Sequence, residues 1–275
     1  MVNRPDATDP YAESNPHALR EVSLPRRDRI ATLVALSGVT GLAWCYLFVT
    51  AAGMEAMGSA SPMAMLEVRA WTASEFWMMF VMWALMMVAM MLPSAAPMTL
   101  IYAAVARKAR REGTKLAPTA SFVAGYLAMW TAFSLAATLV QWRLEQAALL
   151  SPMMVTTSPA IGAGLLIAAG AYQLTPIKNA CLEHCRAPVQ FISRHWRSGA
   201  LGAFRMGLRH GAYCLGCCWV LMGLLFFGGV MNLLWIAAIT LFVLLEKVLP
   251  HGGLAGRISG IAMATMGSVV LAAWL

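Results

Sequence analysis

Residues 76–98 read FWMMFVMWALMMVAMMLPSAAPM, an apolar run of 23 positions. A helix that crosses a hydrocarbon core needs about 20 consecutive, mostly apolar residues, so this run is expected to be a transmembrane helix. Six further runs have the same character: 30–52, 118–141, 160–174, 211–231, 233–249 and 254–275. Composition agrees with them. With 60% hydrophobic and 12% charged residues, a water-soluble domain of 275 residues would have too little polar surface to cover itself. The expected fold is therefore all-α: a polytopic transmembrane bundle of about seven helices, with the lipid bilayer as its solvent. It forms one domain over 29–275, preceded by a polar, proline-containing segment, 1–28, that reads as a retained, disordered cytoplasmic tail rather than a cleavable signal peptide.

Basic residues near the membrane stay on the cytoplasmic side, and their distribution orients the chain. Arg20, Arg26, Arg27 and Arg29 precede the first run; Arg107, Lys108, Arg110, Arg111 and Lys115 separate the second from the third. Lys178, Arg186, Arg194, Arg197, Arg205 and Arg209 fall between the fourth and fifth, in an expected cytoplasmic loop at about 176–205. The alternate connections are poorer in Lys and Arg, holding Glu55, Glu67, Arg69 and Glu75 in one case and Arg143 with Glu145 in the other. The expectation is N-in, C-out, in a bacterial inner membrane. Anionic lipid and this topology account for the net charge of +8, and nucleic-acid binding is not implied.

Within the opening stretch, Met78, Met79, Met82, Met86, Met87, Met90 and Met91 fall in fourteen residues. At about 100° per residue, Met78, Met82, Met86 and Met90 share one arc with Met79. Thioether sulfur is a soft, neutral ligand suited to Cu(I), so the stripe is a candidate ladder of sites. The alternative is plain packing, for which flexible Met is well suited. Pro93 and Pro97 remove backbone donors, and a kink or unwound segment is expected near LPSAAP.

Five of the six cysteines map to the expected cytoplasmic loop or the cytoplasmic half of the fifth run, where thiols stay reduced, which favours metal or redox chemistry over structural disulfides. The sequence CLEHC holds Cys181, His184 and Cys185, which share one side of a helical turn. RHGAYCLGCCW holds His210, Cys214, Cys217 and Cys218, again within about 100° on a helix. Cys45 reads as a small apolar residue, and His17 and His195 as tail and loop residues. The sixth run ends EKVLPHGG, where Glu246 and His251 are further candidate ligands; the plainer reading pairs Glu246 with Lys247 or an Arg while Lys247 snorkels to the headgroups.

Taken together, MMVAMMLPSAAPM, CLEHC, GLRHGAYCLGCCW and EKVLPHG make the chain resemble a bacterial family described as predicted metal-binding integral membrane proteins, a domain of unknown function. That resemblance implies metal binding at Met, Cys and His positions such as these. The function expected is handling of a soft metal ion, copper above all, with a metallochaperone or membrane metalloenzyme as partner and no catalysed reaction. Two other readings stay open: a thiol oxidoreductase using the Cys214-x-x-Cys217 pair, or an accessory subunit of a membrane metalloenzyme. No P-loop, dinucleotide fingerprint or serine elbow is present, so ATP-driven pumping and hydrolysis are not expected.

Overall fold

A computed structural model describes residues 24–60, 71–151, 154–249 and 252–274. His17, Arg20, Glu67, Arg69 and the candidate ligand His251 lie outside the described residues. Among the described residues the chain is all helical, without a strand. In chain order the helices are α1 (Arg26–Ala60), α2 (Ala73–Arg111), α3 (Thr119–Gln146), α4 (Pro159–Gln173), α5 (Pro176–Arg186), α6 (Pro188–His195), α7 (Gly199–Gly223), α8 (Leu225–Gly228), α9 (Leu233–Val248) and α10 (Gly252–Trp274).

Side-chain caps explain several of the starts, because each satisfies amide groups that the first turn leaves without partners. Thr72 and Glu75 form a reciprocal capping box at α2, Ser158 receives the amide of Ile161 at α4, Thr175 that of Lys178 at α5, and Asn232 that of Trp235 at α9. Pro159, Pro176 and Pro188 stand in the first turn of their helices, where a missing N–H costs nothing. Pro93 and Pro97 do not unwind α2, which is helical throughout. The segment expected as a loop at 176–205 is instead occupied by α5, α6 and the first turns of α7, which starts well before residue 211.

Five helices are long and apolar enough to cross a membrane: α1, α2, α3, α7 continued into α8, and α10. The pair α4 and α5, bent by 64°, makes a sixth if taken as one broken span. At 16 residues α9 rises about 24 Å, less than a hydrocarbon core of about 30 Å.

Glycines decide how closely the helices approach. A Cβ on Gly125 would lie 2.0 Å from the carbonyl oxygen of Phe204, and one on Gly207 would lie 1.9 Å from that of Phe122. The pairings 122 with 207 and 129 with 211 advance together, so α3 and α7 run parallel. Gly170 meets Gly260 and Ala264 while Gly267 meets Ala163, so α4 and α10 run antiparallel with their backbones equally close. Antiparallel α2 and α3 are tied by Trp83 Nε1 donating to Gln141 Oε1 at 2.6 Å and by Tyr102 stacked on Phe122. Arg107 at the end of α2 pairs with Asp28 at the start of α1. One end of the bundle therefore gathers the basic residues, and there Lys108, Arg194, Arg197 and Arg205 line a cavity of 1110 Å³.

Candidate metal centre

On α7, residues three and four apart share a face, and this puts His210, Cys214, Cys217 and Cys218 in the bundle interior, all buried. The thiols of Cys217 and Cys218 donate back to the carbonyl of Cys214 at 3.0 and 3.1 Å. The hydroxyl of Tyr126 lies between the carbonyl of Met91 and the sulfur of Cys214, 3.1 Å from each. From α9, Lys247 Nζ donates to Cys214 Sγ and to Ser94 Oγ, at 2.9 Å in both cases. Helices α3, α7 and α9 thus meet at one sulfur, and α2 supports them through Ser94 and the carbonyl of Met91.

The bend after α4 brings α5 across α7. Cys185 lies beside Cys214 and Cys217, and Cys181 faces Cys217. This approach needs Gly216, since a Cβ there would stand 2.7 Å from Cys181 Sγ. The carbonyl of Gly216 also accepts the hydroxyl of Tyr172. All six cysteines are free thiols. Cys45, on α1, is exposed.

The two histidines part company with the thiols to different degrees. His184 does not turn inward with Cys181 and Cys185: its ring stacks on Tyr213 at 4.1 Å and its Nδ1 sits 2.8 Å from the carbonyl of Ala180. His210 is 3% exposed, stacked between Tyr126 and Phe122 with Phe191 at its edge, and its Nδ1 has no hydrogen-bond partner among the described residues. A buried nitrogen without a partner is costly, and one turn before Cys214 it is a donor held in reserve.

The methionine stripe divides. Met82, Met86 and Met90 are buried, but Met78 is 57% exposed and stands outside the interior. Met87 and Met91, left out of the stripe by their helical phase, are buried as well, and all five interior methionines belong with Cys214, Cys217 and Cys218 to one continuous core. At the far end of this column Gln141 Nε2 donates to the sulfurs of Met79 and Met154 at 3.8 and 3.4 Å. From Met79 to Met91 the helix rises about 18 Å.

Glu246 is not directed at the sulfurs. It pairs with Lys178 at 2.5 Å and accepts from Gln173 Nε2 at 3.3 Å, and Gln173 also donates to Ser259 at 3.2 Å. Lys178 and Glu246 are 1% and 2% exposed, an ion pair sealed inside the bundle. Lys247, expected to snorkel outward, is turned into the core instead. Sequence reasoning marked Glu246 and Lys247 as costly charges at membrane depth, but missed Ser94, Tyr126 and Gly216 and the contact of Lys247 with Cys214.

Among the described residues no group of three or more His, Cys, Asp and Glu side chains is arranged to hold a metal ion. The thiols and thioethers are soft donors, a type that suits Cu(I) and disfavours hard cations. A family model described as PpoB2, copper chaperone, matches residues 80–270 of the chain. No curated protein and no solved structure matches it.

Proposed function

The chain belongs to the PpoB2 copper-chaperone family, and from that premise we propose that it is a multi-pass protein of the bacterial inner membrane that binds Cu(I) and passes it to a partner. The observation that carries this reading is the continuity of soft donors: buried Met82, Met86, Met87, Met90 and Met91 share one core with Cys214, Cys217 and Cys218. Cu(I) moves along the thioethers, which are neutral and exchange readily, and comes to rest on two thiolates, Cys214 with one of Cys217, Cys218 and Cys185, while Cys181 and His210 stand nearby as alternative ligands. His184 stands at the surface of this centre, as a contact for the donor or acceptor of the ion. The partner is a metallochaperone or a membrane metalloenzyme. Glu246 serves as a structural counter-ion to Lys178, and no catalysed step is assigned.

The proposed topology has seven passages, N-in and C-out, with α9 as a short seventh span and α5 and α6 at the cytoplasmic face. The basic end of the bundle supports it, as do parallel α3 and α7 and antiparallel α4 and α10.

Copper retention tests the reading. Purified chain in mild detergent, loaded with Cu(I) under reductant and passed through a desalting column, should keep stoichiometric copper by elemental analysis. The triple variant C214S/C217S/C218S should lose it. A wild type without copper, or a triple variant that keeps it, refutes the assignment.

A further inference from the structure

Lys247 stands among sulfurs and has no carboxylate of its own. Its Nζ is 2.9 Å from Cys214 Sγ and from Ser94 Oγ, and the ionisable groups that face it are Cys214, Cys217, Tyr126 and Cys218. The adjacent Glu246 also lies within its field but is held by Lys178 at 2.5 Å. A buried ammonium needs negative charge nearby, and here the groups able to supply it at contact distance are thiolates.

The proposal rests on the copper-handling reading above and concerns charge. Two thiolates around one monovalent cation leave a single negative charge, which in a dry interior is as costly as an unpaired carboxylate. We propose that Lys247 is the built-in counter-ion of this centre, its ammonium against Cys214 completing electroneutrality when Cys214 and one of Cys185, Cys217 and Cys218 bind one monovalent soft cation. The same ammonium acts against divalent ions. Zn(II) on the same two thiolates would leave an excess positive charge beside Lys247. Lys247 is thus a specificity-determining residue, selecting Cu(I) and Ag(I) over Zn(II) by charge where thiol chemistry alone would accept all three.

The test compares full-length wild type, K247M and K247R in detergent. Cu(I) and Ag(I) affinities are measured under anaerobic reductant by competition with a chromophoric chelator, and Zn(II) affinity by the equivalent competition. In K247M the monovalent-to-divalent affinity ratio should fall at least tenfold, with Cu(I) weakened and Zn(II) strengthened; K247R should restore it. A K247M ratio equal to wild type overturns the proposal, and so does a K247R that behaves as K247M, since shape rather than charge would then matter. X-ray absorption of Cu(I)-loaded wild type needs no variant: two short copper–sulfur distances are expected, and three or four overturn the charge balance. Wild type that binds no Cu(I) sinks the proposed function itself, whereas Cu(I) binding indifferent to Lys247 sinks this inference alone.

Discussion

Replacing Gly125 or Gly207 by Ala tests how the two helices that frame the thiols are held. A Cβ at these positions would sit 2.0 Å from Phe204 O and 1.9 Å from Phe122 O, while ordinary contact begins at 3.4 Å. Each substitution therefore asks α3 and α7 to part by about 1.4 Å, and both obstacles are backbone atoms that cannot rotate away. Overpacking of this kind costs about 1–3 kcal/mol, and backbone clashes place each single variant near the upper end. One separation of the helices relieves both clashes, so G125A/G207A should cost little more than either single change, a coupling of about 2 kcal/mol against additivity. Reversible unfolding by SDS titration in mixed micelles reads these values. G164A is the control: nothing lies within 4 Å of its Cβ, and Ala in a helix interior should be neutral or stabilise by about 0.5–1 kcal/mol. Strict additivity of the pair, or singles as mild as G164A, would refute the reasoning. A shift of this size also draws Tyr126 away from Cys214, now 3.1 Å apart, so the separated variants should hold copper less well.

Breaking the Lys178–Glu246 pair by E246L leaves a buried cation without its partner and should cost about 3–5 kcal/mol, while K178M/E246L should recover most of it; SDS unfolding of both variants decides, and a single variant as stable as wild type removes the pair from the account. Among the methionines, M78L should leave copper retention unchanged because Met78 is exposed, whereas M82L/M86L/M90L should slow Cu(I) loading severalfold. Equal loading rates by stopped-flow chelator competition would sink the interior path. His210→Phe keeps the aromatic stack with Tyr126 and Phe122 and should move the unfolding midpoint little, yet it removes the unpartnered Nδ1. Cu(I) affinity should then drop about tenfold or more, roughly 1.4 kcal/mol, and unchanged affinity would assign His210 to packing.

Much of the architecture was legible because long apolar runs have few uses outside a bilayer. The run at 76–98 became the middle of α2, and helical phase alone brought His210, Cys214, Cys217 and Cys218 to one face of α7. Phase was a weaker guide to what surrounds a helix. It grouped Met78 with Met82, Met86 and Met90, but α2 is covered on a wider face further along its length, so Met78 is exposed while Met87 and Met91 are buried. It also grouped His184 with Cys181 and Cys185, where the ring of Tyr213 from α7 draws the imidazole away. The helices in the expected loop had local signals, Thr175 before Pro176 and a first-turn proline at Pro188, that the basic composition of the segment obscured.

The pair Glu246-Lys247 shows where local reading fails for a physical reason. Consecutive residues on a helix project about 100° apart and do not face each other. A reading that neutralises them against each other treats sequence adjacency as contact, and a reading that sends Lys247 to the headgroups treats depth as negotiable. In the folded chain each charge is answered by a different helix: Glu246 by Lys178 on α5, Lys247 by Cys214 on α7 and Ser94 on α2. Two adjacent residues of α9 thereby tie the bent α4–α5 segment to the thiol centre. Because Lys178 and Lys247 both sit in the interior with one carboxylate between them, a second negative partner has to come from the sulfurs. On the counter-ion proposal it is this imbalance of fixed charge, more than the number of cysteines, that favours a monovalent cation among these sulfurs.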